Sequence, residues 1–192
     1  MASFWNSGST PYEDRNEGAA TVALGTIFQA AVPGVVTGAR MYRYSAGTTP
    51  HVCHLWSAGG SDLGSFTFSG DSGTGWITGS FATPISIAAS TNYTISVHYP
   101  DGHYPMDLGY FDASYTVGNL TAPTSAGVFD YGTSSTRPTS VYSNTNYWVD
   151  VDFEPMSAAI TGSATGSITE ADIQAGNKTI IITLTGTTFV AS

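Results

Sequence analysis

The side chains best placed to do chemistry are two aspartates, Asp150 and Asp152, the histidines, and several tryptophans and tyrosines near turns. Asp150 and Asp152 stand two apart in Tyr147-Trp148-Val149-Asp150-Val151-Asp152-Phe153. On an extended strand this spacing projects both carboxylates from one face, about 7 Å apart. An inverting glycosidase pair needs a comparable gap, roughly 6.5–9.5 Å. Both groups share one flat strand with no opposing partner, so the spacing favours a solvated acidic face. Cation binding with loop carboxylates such as Asp101, Asp107 or Asp112 is the next reading, and catalysis comes last. His51, His54, His98 and His103 could gather a metal, since His98 and His103 flank one turn. Their spacing matches no zinc pattern, so turn and rim histidines are expected and no metal is assigned. No serine sits in a Gly-x-Ser-x-Gly elbow. No phosphate-cradling loop precedes a helix, so no cofactor is expected.

The aromatic residues are the remaining lead. Trp56, Trp76, Tyr104, Tyr110 and Trp148 fall near predicted loop ends. Sugars stack on flat rings while Asp, Asn and His fix their hydroxyls, the mixture typical of a small-molecule site. The competing reading has most of these rings capping the core.

The elements that would position these groups are strands. Thr21-Val22-Ala23-Leu24-Gly25-Thr26-Ile27-Phe28 is the first firm one. Val35 to Tyr44 follows Pro33-Gly34, with a bulge expected near Gly38 and Arg40 expected to pair with a carboxylate at the sheet rim. From His51 to Tyr104, short aromatic and β-branched runs alternate with Gly/Asp/Ser clusters, the signal for an antiparallel meander. Tyr93, Ile95, Val97 and Tyr99 are expected in the core, and Thr83 to Ile87 forms a short strand of its own. Residues 101–147 read as irregular loop. The strand at 147–153 alternates strictly, placing Tyr147, Val149, Val151 and Phe153 inside and Trp148, Asp150 and Asp152 outside. Phe4 and Trp5 are expected to tuck onto a sheet edge.

Composition bounds the function. Charged residues make up 10% of the 192-residue chain, against about 25% in an ordinary domain. Gly, Ser and Thr take their place, as in many extracellular and virion β-proteins. The net charge of −9, with 5 Lys and Arg, argues against nucleic-acid and anionic-membrane partners. Cys53 is the only cysteine, so no intrachain disulfide forms, and a buried hydrophobe is expected. The N-terminus has no signal-peptide pattern, and no run approaches the ~20 apolar residues of a membrane span. A surface-type composition without an export signal fits a virion component.

Glu154-Pro155-Met156-Ser157 marks a boundary between a body over 1–154 and a β-rich arm or partial second module over 155–192. In the arm, strands are expected at 159–164 and 179–185, with a short helix at 169–175. Ile180, Ile182, Leu184 and Phe189 are its expected oligomer contacts, because about 35 residues bury too little by themselves.

Several stretches resemble a known family: Gly34 to Tyr42, Leu55-Trp56-Ser57, Gly75-Trp76, Pro84 through Tyr93 to His98, His98 to Tyr104, Gly109-Tyr110-Phe111 and Tyr147 to Val151. In this order they resemble the bacterial and phage family catalogued as domain of unknown function 4082, over about residues 1–154. The resemblance implies a β-sandwich accessory module, of a kind found beside Ig-like repeats and in carbohydrate-active enzymes. It carries no catalytic residues. The arm resembles the opening of an Ig-like repeat of surface and virion proteins.

The expectation is thus an all-β, antiparallel β-sandwich of jelly-roll or Ig-like type. Its expected role is a non-enzymatic display module of a phage virion (decoration, fibre or tail-associated) or of a bacterial surface protein. The alternative is a carbohydrate-binding module that attaches its carrier to cell-surface glycans. Expected partners are other virion or surface subunits, including copies of itself.

Overall fold

The computed structural model describes residues 1–156 except 19, 45–49, 71–72 and 133–135. Met1–Met156 forms one compact unit. The strands and helix expected beyond residue 156, with Ile180, Ile182, Leu184 and Phe189, lie outside the described residues.

The described residues form an all-β, antiparallel sandwich. The strands are β1 (Glu13–Asn16), β2 (Val22–Ala30), β3 (Gly34–Arg43), β4 (Val52–Ser57), β5 (Asp62–Thr67) and β6 (Gly75–Ile87). They continue with β7 (Tyr93–Tyr99), β8 (His103–Met106), β9 (Tyr115–Val117), β10 (Leu120–Ala122), β11 (Gly127–Tyr131) and β12 (Val149–Pro155). The large sheet runs β5-β4-β7-β2-β10-β9, and β11 also pairs with β2. The small sheet runs β12-β3-β6, and β1 and β8 form a separate ribbon.

Alternation builds the core between the sheets. Leu24, Phe28, Leu55, Ile95 and Val97 come from the large sheet. Val36, Met41, Val149, Val151 and Phe153 come from the small one. All are essentially without exposure. Thr26 Oγ1 crosses this core to donate to the Val149 carbonyl at 2.7 Å. Phe66 and Phe81 meet edge-on at 5.0 Å where β5 approaches β6, closing that side.

The bulge expected near Gly38 is present: the β3–β6 register shifts between Val36 and Gly38. Other expectations need correction. The 51–104 stretch is not one meander. β4, β5 and β7 lie in the large sheet, whereas β6 crosses to pair with β3. The strand expected at 83–87 is the second half of β6, which continues from Gly75 through Pro84. Its edge position makes the missing proline donor harmless. Residues 101–147 hold four strands, β8 to β11, where loop was expected. Three to five residues are too few to show an alternation pattern in the sequence.

Candidate functional site

The aspartate pair does not face solvent. Asp150 is fully buried and Asp152 nearly so. Val149, Val151 and Phe153 point into the sandwich, so the aspartates do point the other way, but the N-terminal segment covers that face. Ala2 pairs with Phe153. Phe4 N–H donates to Asp150 Oδ1 at 2.9 Å, and Trp5 N–H to Asp150 Oδ2 at 3.2 Å. Ser3 Oγ donates to Asp152 Oδ1 at 3.1 Å. Arg40, directly across from Asp150 in the β3–β12 register, forms an ion pair with it and also donates to the Trp5 carbonyl. The expected carboxylate partner of Arg40 is therefore real, but it lies under the N-terminal segment. Burial pushes the Asp150 carboxyl up, against the Phe4 N–H and the Arg40 charge. Burial raises Asp152 too, against Ser3 and Arg40. The two carboxylates are a structural latch with a guanidinium where a cation or a sugar would have to sit. This corrects the expected solvated face and displaces Asp150 and Asp152 as metal candidates.

Three of the aromatic candidates gather around Trp5. Its ring lies 6.1 Å from Trp76, 6.1 Å from Tyr110 and 5.4 Å from Trp148. Trp5 Nε1 donates to Tyr110 Oη at 2.8 Å, and Arg40 sits 4.6 Å over Trp76. Trp148 is buried against Trp5, Trp76 and Tyr110, and its backbone is left-handed, with φ 56°, just ahead of β12. That conformation is rare for a bulky side chain, and Asn146 Oδ1 stabilises it by accepting the Trp148 N–H at 2.8 Å. Trp76 and Tyr110 keep partial exposure. Trp56 lies elsewhere, buried, donating to Ser96 Oγ at 2.8 Å and stacked on His54. Trp56 and Trp148 offer no open face to a ligand.

Tyr104 lines a cleft of about 290 Å³ that the other four candidates do not reach. Two pairs of strands build it by period-two alternation. Val22 and Leu24 of β2 face Tyr131 and Phe129 of β11 across the ladder and pave the floor. Glu13 and Arg15 of β1 face Met106 and Tyr104 of β8 and form a wall. Glu17, Leu108, Tyr142 and Tyr147 complete the lining. Tyr131 and Tyr142 are each 56% exposed and Leu108 54%, so large apolar surfaces stay open at the rim. Gly127, at the start of β11, lets that strand pass its neighbour: a Cβ there would fall 1.6 Å from the Thr145 carbonyl oxygen.

Glu17 organises the polar side of the cleft. Tyr131 Oη donates to its Oε2 at 2.7 Å, and Arg15 donates to its Oε1 from Nε and Nη2 at 3.3 and 3.2 Å. Tyr104 lies beside it in the lining, and its hydroxyl helps to lower the Glu17 carboxyl. Partial burial raises the Glu17 carboxyl, but these donors outweigh it and hold the group below the ordinary carboxylate value. Burial, then the Glu17 charge, pushes the Tyr104 hydroxyl well up. Burial takes Tyr147 up to about 12. Both phenols therefore stay protonated. Sequence reasoning missed Glu13, Arg15, Glu17, Tyr131 and Tyr142. The available signal was the i, i+2, i+4 spacing of Glu13, Arg15 and Glu17, which marks one strand face.

His51 and His54 lie near enough to His98 for their charges to act on it, but no group of three or more His, Cys, Asp or Glu among the described residues could hold a metal ion. His54 pairs with Asp62 at 2.9 Å and His103 with Asp14 at 2.6 Å. His51 is buried edge-on to Tyr99. His98 contacts the Gly132 carbonyl at 3.2 Å. Cys53 is fully buried and its thiol is pushed well up by burial, so it is an inert core residue.

None of the curated proteins matches this chain. A family model does, over residues 8–149, a span that takes in every residue of the cleft and stops short of both halves of the latch. The chain belongs to the family described as Domain of unknown function (DUF4082).

Proposed function

We propose that this β-sandwich is a non-enzymatic glycan-binding module, with the cleft between β1/β8 and β2/β11 as its sugar site. The observation that carries the reading is the lining. Half-open Tyr131 and Tyr142 rings stand beside Arg15, Glu13 and Glu17, apolar planes next to fixed polar groups. This is the combination that orients and stacks a sugar. Two features favour binding over hydrolysis. A glycosidase acid must keep its proton near neutral pH, whereas Glu17 is shifted the opposite way. The aspartate pair with the more suggestive spacing is sealed beneath Phe4 and Trp5. A hydroxyl-rich, sparsely charged chain suits display on a virion or bacterial surface protein, and we place the module in that setting.

A glycan array probed with the full chain tests the reading. Binding should appear, and both Tyr131→Ala and Tyr142→Ala should reduce it at least about tenfold without lowering the melting temperature. Glycan binding that survives both substitutions would move the site elsewhere. An array with no signal for any glycan would end the proposal.

A further inference from the structure

The charges lining the cleft do not balance. Glu13 and Glu17 contribute two carboxylates and Arg15 one guanidinium, in a chain of net charge −9. The guanidinium is already engaged. Its Nε and Nη2 both donate to Glu17, and its Nη1 lies 4.0 Å from Glu13. Bidentate guanidinium–carboxylate pairing is the means by which proteins hold acidic ligands. Here both donors converge on one oxygen of an internal carboxylate, Glu17 Oε1, so the Nε–Nη2 edge that a ligand carboxylate would use is taken.

We propose that Glu17 sets the charge selectivity of this cleft. By engaging Arg15 it leaves the site net negative, so the cleft takes neutral and amine-bearing sugars and rejects acidic ones. This inference rests on the glycan-binding reading of the same cleft. An acidic sugar would meet Glu13 and the negative ring faces of Tyr131 and Tyr142, with the Arg15 charge already paired to Glu17, and like-charge juxtaposition is how sites exclude wrong ligands. An ammonium group gains on both counts. Glu13, whose side chain is 41% exposed, can accept from it, and tyrosine faces attract cations.

The test is calorimetric titration of the full chain with tetramers of glucosamine, glucose and galacturonic acid. These match in length and differ in charge. Mildly acidic pH and low salt keep the amine protonated and the electrostatics unscreened. The expected order is glucosamine, then glucose, with galacturonic acid at least about tenfold weaker than glucose. Glu17→Gln keeps the side-chain shape and the acceptor for Tyr131 but frees Arg15. It should strengthen the galacturonate tetramer about tenfold and weaken the glucosamine tetramer. Arg15→Gln should move the ranking the other way, which gives a second reading should the Glu17 variant fold poorly. Equal binding of all three tetramers, or a galacturonate preference in the parent chain, would overturn the inference while leaving the glycan site standing. So would either variant moving the ranking in the wrong direction. No binding by any tetramer, together with a silent array, would overturn both.

Discussion

At the scale of single residues, Asp150 does the most. It accepts from two backbone N–H groups of the N-terminal segment and pairs with Arg40, all out of water. Removing one partner of a buried ion pair strands the other and typically costs about 3–5 kcal/mol. Asp150→Ala should therefore lower the urea unfolding free energy by that amount. Asp152→Ala should cost nearer ~1 kcal/mol, since it holds Ser3 by one hydrogen bond and lies 3.8 Å from Arg40 Nε. Equal effects would show that the latch does not centre on Asp150. Gly127→Ala should destabilise by about 1–3 kcal/mol, because its methyl group would collide with the Thr145 carbonyl, which is backbone and cannot rotate away. The sequence made the face of the aspartates legible but not their environment. Strand alternation is a local rule, while the cover over Asp150 comes from Phe4 and Trp5, 146 and 145 positions away. An apolar pair at a polar N-terminus was the available hint; it predicted contact with a sheet edge, whereas Trp5 lies over the outward face of β12, β3 and β6.

At the scale of elements, the N-terminal segment is a buried cover, hydrogen-bonded to β12. Phe4 and Trp5 are 3% and 5% exposed, and burying side chains of this size stabilises by roughly 1.5–3 kcal/mol each. Deleting residues 1–5 should cost several kcal/mol in urea melts and expose Trp76 and Trp148, read as a red shift of tryptophan emission. An unshifted spectrum would mean that the aromatic cluster closes without Trp5. The long strands β2, β3, β7 and β12 were legible because each carries several turns of the two-residue period. The cleft was not, since its wall is the four-residue β1 and the four-residue β8. Those strands acquire a face only by pairing with each other. Trp148 misled for the same reason as the aspartates: its ring lies on the outward face, against Trp76 and under Trp5 of the N-terminal segment.

At the scale of the whole molecule, burial and hydrogen bonding tie stability to pH in opposing directions. Burial lowers His98 from 6.5, partly offset by the Gly132 carbonyl. A depressed folded value gives stability that is present above the unfolded value and lost as pH falls through the folded one. Glu17, also lowered, acts the same way below its ordinary 4.5. Asp150 and Asp152 are raised above 3.8, so their contribution is fully present below that value and declines as pH rises through their folded values. The melting temperature should therefore begin to fall on acidification just below pH 6.5, and His98→Gln should flatten that first segment. An unchanged profile in the variant would assign the early loss to another group.

The pairing of Ala2 with Phe153 has a mechanical consequence. The two strands are antiparallel, so a chain preceding Met1 and a chain leaving Pro155 depart from the same side of the body. Met1 and Pro155 are thus two neighbouring points of attachment on one side of the body. Tension between the two attachments would peel Ala2 from Phe153 first, then work inward to the Ser3–Asp152 and Phe4–Asp150 bonds, loading them one after another. Such a body gives way by unzipping at low force, beginning at the segment that covers its tryptophans. Single-molecule pulling from the two termini should register that release as a short extension ahead of the main unfolding event.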